Sequence, residues 1–295
     1  MAPVLVNAIK TKGWTVKAEK NTAEILEENG VDVKGGAINA VIWSHHHWDH
    51  VGDLAGTFPG STQLIIGPGF KKAHLPGYPT NKDSPMQDKD FENRDAREID
   101  IATEGKGLKI GQFNAYDYFG DGSYYLLDTP GHSVGHLCGL ARTTSSPPTF
   151  VLMGGDACHH GGEFRPSEYL PLPKSISPSP IPHIKGACPG HVLQEMHHNK
   201  SANEPFMEVT ESFAHNLEEA NWTIHGLQAF DVAENILMLC AHDESVKGLL
   251  DTYPRTMNDW HEKDLAKKAK WRFLEDFKDA VAEADTNRVW ESEAR

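Results

Sequence analysis

The segment His45-His46-His47-Trp48-Asp49-His50 constrains this chain more than any other stretch. It directly follows residues 38–43 (INAVIW), an apolar run of strand length that reads as a buried strand. It precedes Val51-Gly52-Asp53-Leu54, which reads as a helix start. Histidine is a minor residue in average usage, so HxHxDH set against an apolar strand argues for a purpose rather than a solvated loop. The internal position excludes a purification tag. Neutral imidazole nitrogens and carboxylate oxygens are the usual ligands of hydrolytic zinc. In a strand-to-helix turn, residues at i and i+2 can point the same way, so His45 and His47 can share one metal. Asp49 and His50 can then face a second metal, while His46 and Trp48 point toward packing.

Three later segments repeat the design. Asp128-Thr129-Pro130-Gly131-His132 follows the strand candidate Tyr124–Leu127, and Gly154-Gly155-Asp156 follows Thr149–Met153. Ala241-His242-Asp243 follows Ile236–Cys240. In each, an apolar run delivers one metal-competent residue, with Gly or Ala nearby where bulk would crowd an ion. Sites are usually built on loops held by rigid elements.

The ordered set HxHxDH, TPGH, GGDA and AHD resembles the metallo-β-lactamase superfamily, most closely its lactonase and lactamase-like branch with fungal hydrolases. The resemblance covers about residues 38–245. It implies an α+β fold, the metallo-β-lactamase αβ/βα sandwich of two facing β-sheets with outer helices. It also implies that His45, His47 and His132 hold a first zinc and that Asp49, His50 and His242 hold a second, with Asp156 bridging. His136, His159 and His160, with Asp53 and Asp243, lie close enough in sequence to orient ligands. For the three histidines, the general behaviour of polar residues favours structural or exposed roles.

Composition narrows the reaction. Lys plus Arg number 28 against 42 Asp plus Glu, a net charge of −14, which disfavours polyanions and nucleic acid. The hydrophobic share of 39% allows a sizeable core, and the spread of ligands from His45 to His242 favours a single hydrolase domain over residues 1–295. No apolar run reaches membrane-spanning length, and residues 1–14 lack the features of a secretory signal. Cys138, Cys158, Cys188 and Cys240 form no CxxC pair and read as reduced thiols of a cytoplasmic protein.

Two divalent ions, zinc or another, set roughly 3.5–4 Å apart would bridge and acidify a water, giving a metal-bridging hydroxide at neutral pH. Asp49 is the candidate catalytic acid–base, shuttling the proton to the leaving group. The expected substrate is a small molecule with a cyclic ester or amide. The resembled branch includes enzymes opening benzoxazolinone-type plant-defence compounds, which would make the role xenobiotic detoxification. A thioester hydrolase and an Fe(II)-dependent sulfur dioxygenase are the alternatives on the same site. A non-catalytic binding relative would have lost ligands, and this chain keeps all seven. The apolar segments 70–78 and 164–172 are expected to wall the pocket.

Elsewhere, residues 3–10 and 22–29 read as helices, the second stopped by Gly30, and Gln63–Ile66 as a strand. The Pro- and Ser-rich residues 166–190 read as a surface excursion or a wall over the substrate. Trp260, Phe273, Leu274, Phe277 and Val281 fit one amphipathic helix. With only 44 residues before His45, the N-terminal sheet is expected to lack its first strands, leaving an open edge or exposed apolar surface.

Overall fold

Ile38–Trp43 becomes the strand β1 (Ala40–Ile42), at the edge of a parallel three-stranded sheet with β2 (Gln63–Ile66) and β3 (Ala96–Glu98). The structure is a computed structural model and describes residues 1–284. The chain divides into two compact units: Met1–Gly139 with Ala214–Glu219, and Leu140–Phe213 with the chain from Ala220 onward.

In the first unit, β2 shows why this sheet reads as a continuous apolar run. Side chains alternate between sheet faces. Leu64 and Ile66 enter a cluster with Trp43, Leu54, Phe70 and Met86, while Ile65 enters another with Ile99, Ile101, Leu126 and Leu137. Leu64, Ile65 and Ile66 are all fully buried. Residues 1–39 supply two helices, Pro3–Lys12 and Thr22–Glu28, and no strand. The second is started by a reciprocal cap: the Asn21 side chain accepts from the Glu24 N–H at 2.9 Å, and the Glu24 carboxylate accepts from the Asn21 N–H at 2.7 Å. The sheet is short, as expected, and apolar surface is exposed near the N-terminus at Val4, Val6, Trp14 and Val16. Three antiparallel strands follow, β4 (Lys109–Ile110), β5 (Phe113–Asp117) and β6 (Tyr124–Asp128).

β7 (Leu137–Ser145) leads into the second unit, where it neighbours β8 (Pro148–Met153). β9 (Ser175–Ile176) pairs with β10 (Cys188–Pro189), and β11 (Ile236–Leu239) lies parallel to β8. The β8–β11 register matters for function. Met153 stands opposite Leu239, so the Gly154-Gly155-Asp156 and Cys240-Ala241-His242 segments leave the sheet at the same level. Two further bonds extend the pairing: the Gly154 N–H donates to Leu239 O at 2.7 Å, and the Ala241 N–H to Gly155 O at 2.9 Å.

Two elements differ from expectation. The helix Leu217–Asp231 was not anticipated, and it buries Ala220, Ile224, Leu227 and Phe230. Its last residue, Asp231, accepts two hydrogen bonds from the buried Arg165 guanidinium, at 2.8 and 2.5 Å. Of the residues expected on one C-terminal amphipathic helix, Phe273, Leu274, Phe277 and Val281 do share a continuous helical run, residues 272–284, whose first part Arg272–Phe277 is 3-10, whereas Trp260 lies outside it, before the separate short helix Leu265–Ala269. The reason is that Trp260 belongs to a different core. Trp260 packs with Val151 and Leu237 and donates its indole N–H to Thr143 Oγ1 at 3.1 Å, whereas Phe273, Leu274 and Val281 join the cluster of Ile181 and Leu193. No helix among the described residues is long and apolar enough to cross a membrane.

Candidate metal centre

In the first unit the ligand turn starts where β1 ends. The Leu137 N–H donates to Ser44 O at 2.8 Å, fixing the chain just before His45. His45 is fully buried. His47 keeps extended backbone and immediately precedes the helical turn Trp48–Val51. Gly52, at φ 61°, splits the expected helix into this turn and a second, Leu54–Thr57. His132 arrives from β6 through Thr129-Pro130-Gly131. That loop is held by N–H groups of His215 and Asn216, which donate to the carbonyls of His132 and Gly131 at 3.0 and 2.9 Å.

These elements bring His45, His47 and His132 together. His132 Nε2 lies 3.2 Å from His45 Nε2 and 3.0 Å from His47 Nδ1. On a tetrahedral zinc with bonds of about 2.0–2.1 Å, ligand nitrogens sit about 3.3 Å apart. Three converging imidazole nitrogens at that spacing fit a divalent ion better than they fit mutual hydrogen bonds, since neutral rings offer one donor each. Asp49 and His50 share the Trp48–Val51 turn, with Asp49 Oδ2 3.7 Å from His50 Nε2. The first unit therefore holds a His/Asp metal-binding set.

In the second unit, the matched ends of β8 and β11 place the Asp156 carboxylate beside His242, with Oδ2 to Nε2 at 3.5 Å. Asp156 is almost wholly buried. His242 has φ 64°, a left-handed conformation costing on the order of 1 kcal/mol in a residue with a side chain. Such strain is found where the surrounding structure needs a side chain aimed one way.

The neighbouring residues sort themselves. His136 is fully buried and its Nδ1 lies 2.9 Å from Thr129 Oγ1, so it braces the loop that carries His132. His159 does more than its sequence position suggested: its Nε2 is 3.4 Å from Asp156 Oδ2 and its ring stacks on His242 at 5.7 Å. His160 bonds Asp276 at 2.9 Å and accepts from the Gly162 N–H. Asp53 pairs with Lys89 at 2.7 Å, which holds its carboxyl below the usual range, and Asp243 caps the turn at Ser245. His46 stacks on His74 at 3.8 Å, and burial, aided by four neighbouring histidines, pushes its pKa down to about 3. It is a neutral packing group. Burial, reinforced by the Glu219 and Asp100 carboxylates, pushes Asp128 up to about 6.

Phe70 and Phe164 are both buried, and Phe70 packs against Trp43. A cavity of 430 Å³ does lie beside His242, lined by His160, Ser245 and Arg272 among others. A second cavity, of 820 Å³, is bounded by Pro173, Pro178 and Pro182 of the Pro-rich segment and by Trp271. Lys267, Lys268, Lys270 and Arg272 also line it, so this acidic chain carries a local basic cluster that was not expected.

No family model matches the chain. It is 49% identical over 215 residues to the γ-lactamase MBL2 of Gibberella moniliformis, covering 73% of this chain and 88% of that protein. It is 45% identical to the γ-lactamase FDB1 of Fusarium pseudograminearum over 92% of this chain, and spans 65% of that protein's length. It is 42% identical to the metallo-hydrolase mfmC of Annulohypoxylon moriforme, covering 99% of this chain and 76% of that one. Among solved structures it resembles an N-acyl homoserine lactone hydrolase with its product N-hexanoyl-L-homoserine bound at the catalytic metal centre. There the TM-score is 0.50 at 19% identity, covering 82% of this chain and 69% of the other. The mixed sheets with helices are the α+β metallo-β-lactamase fold. With these relatives and this fold, the chain belongs to the lactonase- and lactamase-like branch of the metallo-β-lactamase superfamily.

Proposed function

We propose that this chain is a metal-dependent hydrolase that opens a small cyclic ester or amide, with residues 1–295 as a single hydrolase domain. The observation that carries the reading is the convergence of the His45, His47 and His132 nitrogens at 3.0–3.2 Å. In this reading those three hold one ion, Asp49, His50 and His242 hold a second, and Asp156 reaches both. Zinc suits the donor set of imidazoles and carboxylates without thiolate. When bound, the ions would supply an acidified water and a Lewis acid for the ring carbonyl.

The chain's own residues do the rest. His136 and the His215–Asn216 segment fix the orientation of His132. Asp49, on its exposed turn, holds a proton at its carboxylate and delivers it to the ring oxygen or nitrogen as that atom leaves. Asp156, buried and flanked by His159 and His242, keeps a fixed carboxylate position. The names of the γ-lactamase relatives favour an amide ring, and a benzoxazolinone-type compound is a candidate of suitable size.

The test is a panel of γ-lactams, lactones, thioesters and phosphodiesters offered to the metal-loaded chain. Turnover of a lactam or lactone, with addition of one water to the product mass, supports the reading. Cleavage of thioesters or phosphodiesters alone, or oxygen uptake with Fe(II), would replace it.

A further inference from the structure

Cys158 and Cys240 frame the ligands of the second unit. Cys158 lies two residues after Asp156, and Cys240 two residues before His242. The parallel register of β8 and β11 carries both chains off the sheet together, and the Gly154 and Ala241 N–H bonds continue their pairing past its edge. The result brings the two sulfurs to 2.7 Å across 82 positions of sequence. Gly154 makes room for this, because a Cβ there would lie 3.0 Å from Cys240 Sγ. Cys158 is fully buried and Cys240 is partly exposed. The other two thiols are placed differently: Cys138 contacts Thr129 Oγ1 at 3.3 Å, and Cys188 contacts Pro189 O.

We propose that Cys158 and Cys240 form an oxidation site, a dithiol that reacts with hydrogen peroxide and closes to a disulfide joining the Asp156 turn to the His242 turn. The chemistry follows the exposure of the two sulfurs. Cys240 attacks the peroxide, the O–O bond breaks, and the products are a sulfenic acid on Cys240 and one water. Cys158 then displaces the sulfenic oxygen, forming the S–S bond and releasing a second water. Two S–H bonds are lost, the two sulfurs are oxidised together by two electrons, and the peroxide is reduced. Covalent closure needs the sulfurs at about 2.05 Å, a movement of well under 1 Å that the turns can make without leaving their strands. The oxidised form adds a covalent tie between two ligand-bearing turns that backbone pairing and the contacts of His242 with Asp156 and His159 join in the reduced form.

The test uses the full chain and hydrogen peroxide, and it does not depend on the hydrolytic reading. One equivalent of peroxide should lower the intact mass by about 2 Da and reduce the titratable thiols from four to two. Digestion without reductant should release a Cys158–Cys240 linked peptide. The thermal midpoint should rise by about 5 °C, reversed by dithiothreitol, because the link closes a long loop in the unfolded chain. Cys240→Ser should abolish the mass loss, while Cys188→Ser should leave it intact. A different linked pair would overturn the proposal. So would four surviving thiols, or sulfinic acid on Cys240 with Cys158 still a thiol.

Discussion

Asp128 offers a sharp test of how this fold treats buried charge. It ends β6, on the segment that leads to His132, and its carboxyl is pushed from 3.8 to about 6 by burial and by the Glu219 and Asp100 carboxylates. The folded chain therefore favours the protonated acid. That contribution is complete below pH 3.8 and is lost as pH rises through about 6. Asparagine has nearly the shape of the protonated acid and does not titrate. Asp128→Asn should therefore stabilise the protein increasingly as pH rises. A shift of about two units at 1.36 kcal/mol each gives a gain of about 3 kcal/mol near pH 8, about 1.5 near pH 5 and about 0.5 near pH 4. The assay is urea unfolding of both proteins at those three pH values in a chelating buffer. The histidines' own pH dependence is common to both chains and cancels in the difference. A gain that stays flat from acid to alkaline pH would refute the reasoning. So would an asparagine variant less stable than the parent near pH 8, since either result would mean that the carboxylate is held charged.

Asp231→Asn should lower stability by about 3–5 kcal/mol in urea unfolding, because it leaves the Arg165 guanidinium buried without its countercharge. Replacing both, as Arg165→Met with Asp231→Leu, should recover most of that loss. His47→Ala should lower bound metal measured by elemental analysis, whereas His46→Ala should keep the metal and lose thermal stability through its stack on His74. Equal metal loss in the two variants would contradict the assignment of ligand and packing residues.

The segments that carry the site were legible because apolar runs of strand length ended at metal-competent residues. β2 matches its expected bounds, and β6, β8 and β11 differ from theirs by a residue at one end. Leu217–Asp231 escaped because its buried face mixes Thr223, Gly226 and Gln228 with its apolar residues. At the C-terminus the helical spacing was real, but spacing does not say which core a side chain enters. Trp260 faces β8 and β11 while Phe273 faces the β9–β10 region, so one helix cannot serve both. The role of His159 depends on the turn after Asp156, which places its ring against the carboxylate in a way that a three-residue spacing alone does not fix.

The most direct measurement is the metal content of the purified chain, loaded with zinc and separated from excess ion. About two divalent ions per chain are expected, falling in Asp156→Asn, because that carboxylate is assigned to reach both. A single tightly bound iron, with no hydrolysis in the presence of zinc or manganese, would contradict the account.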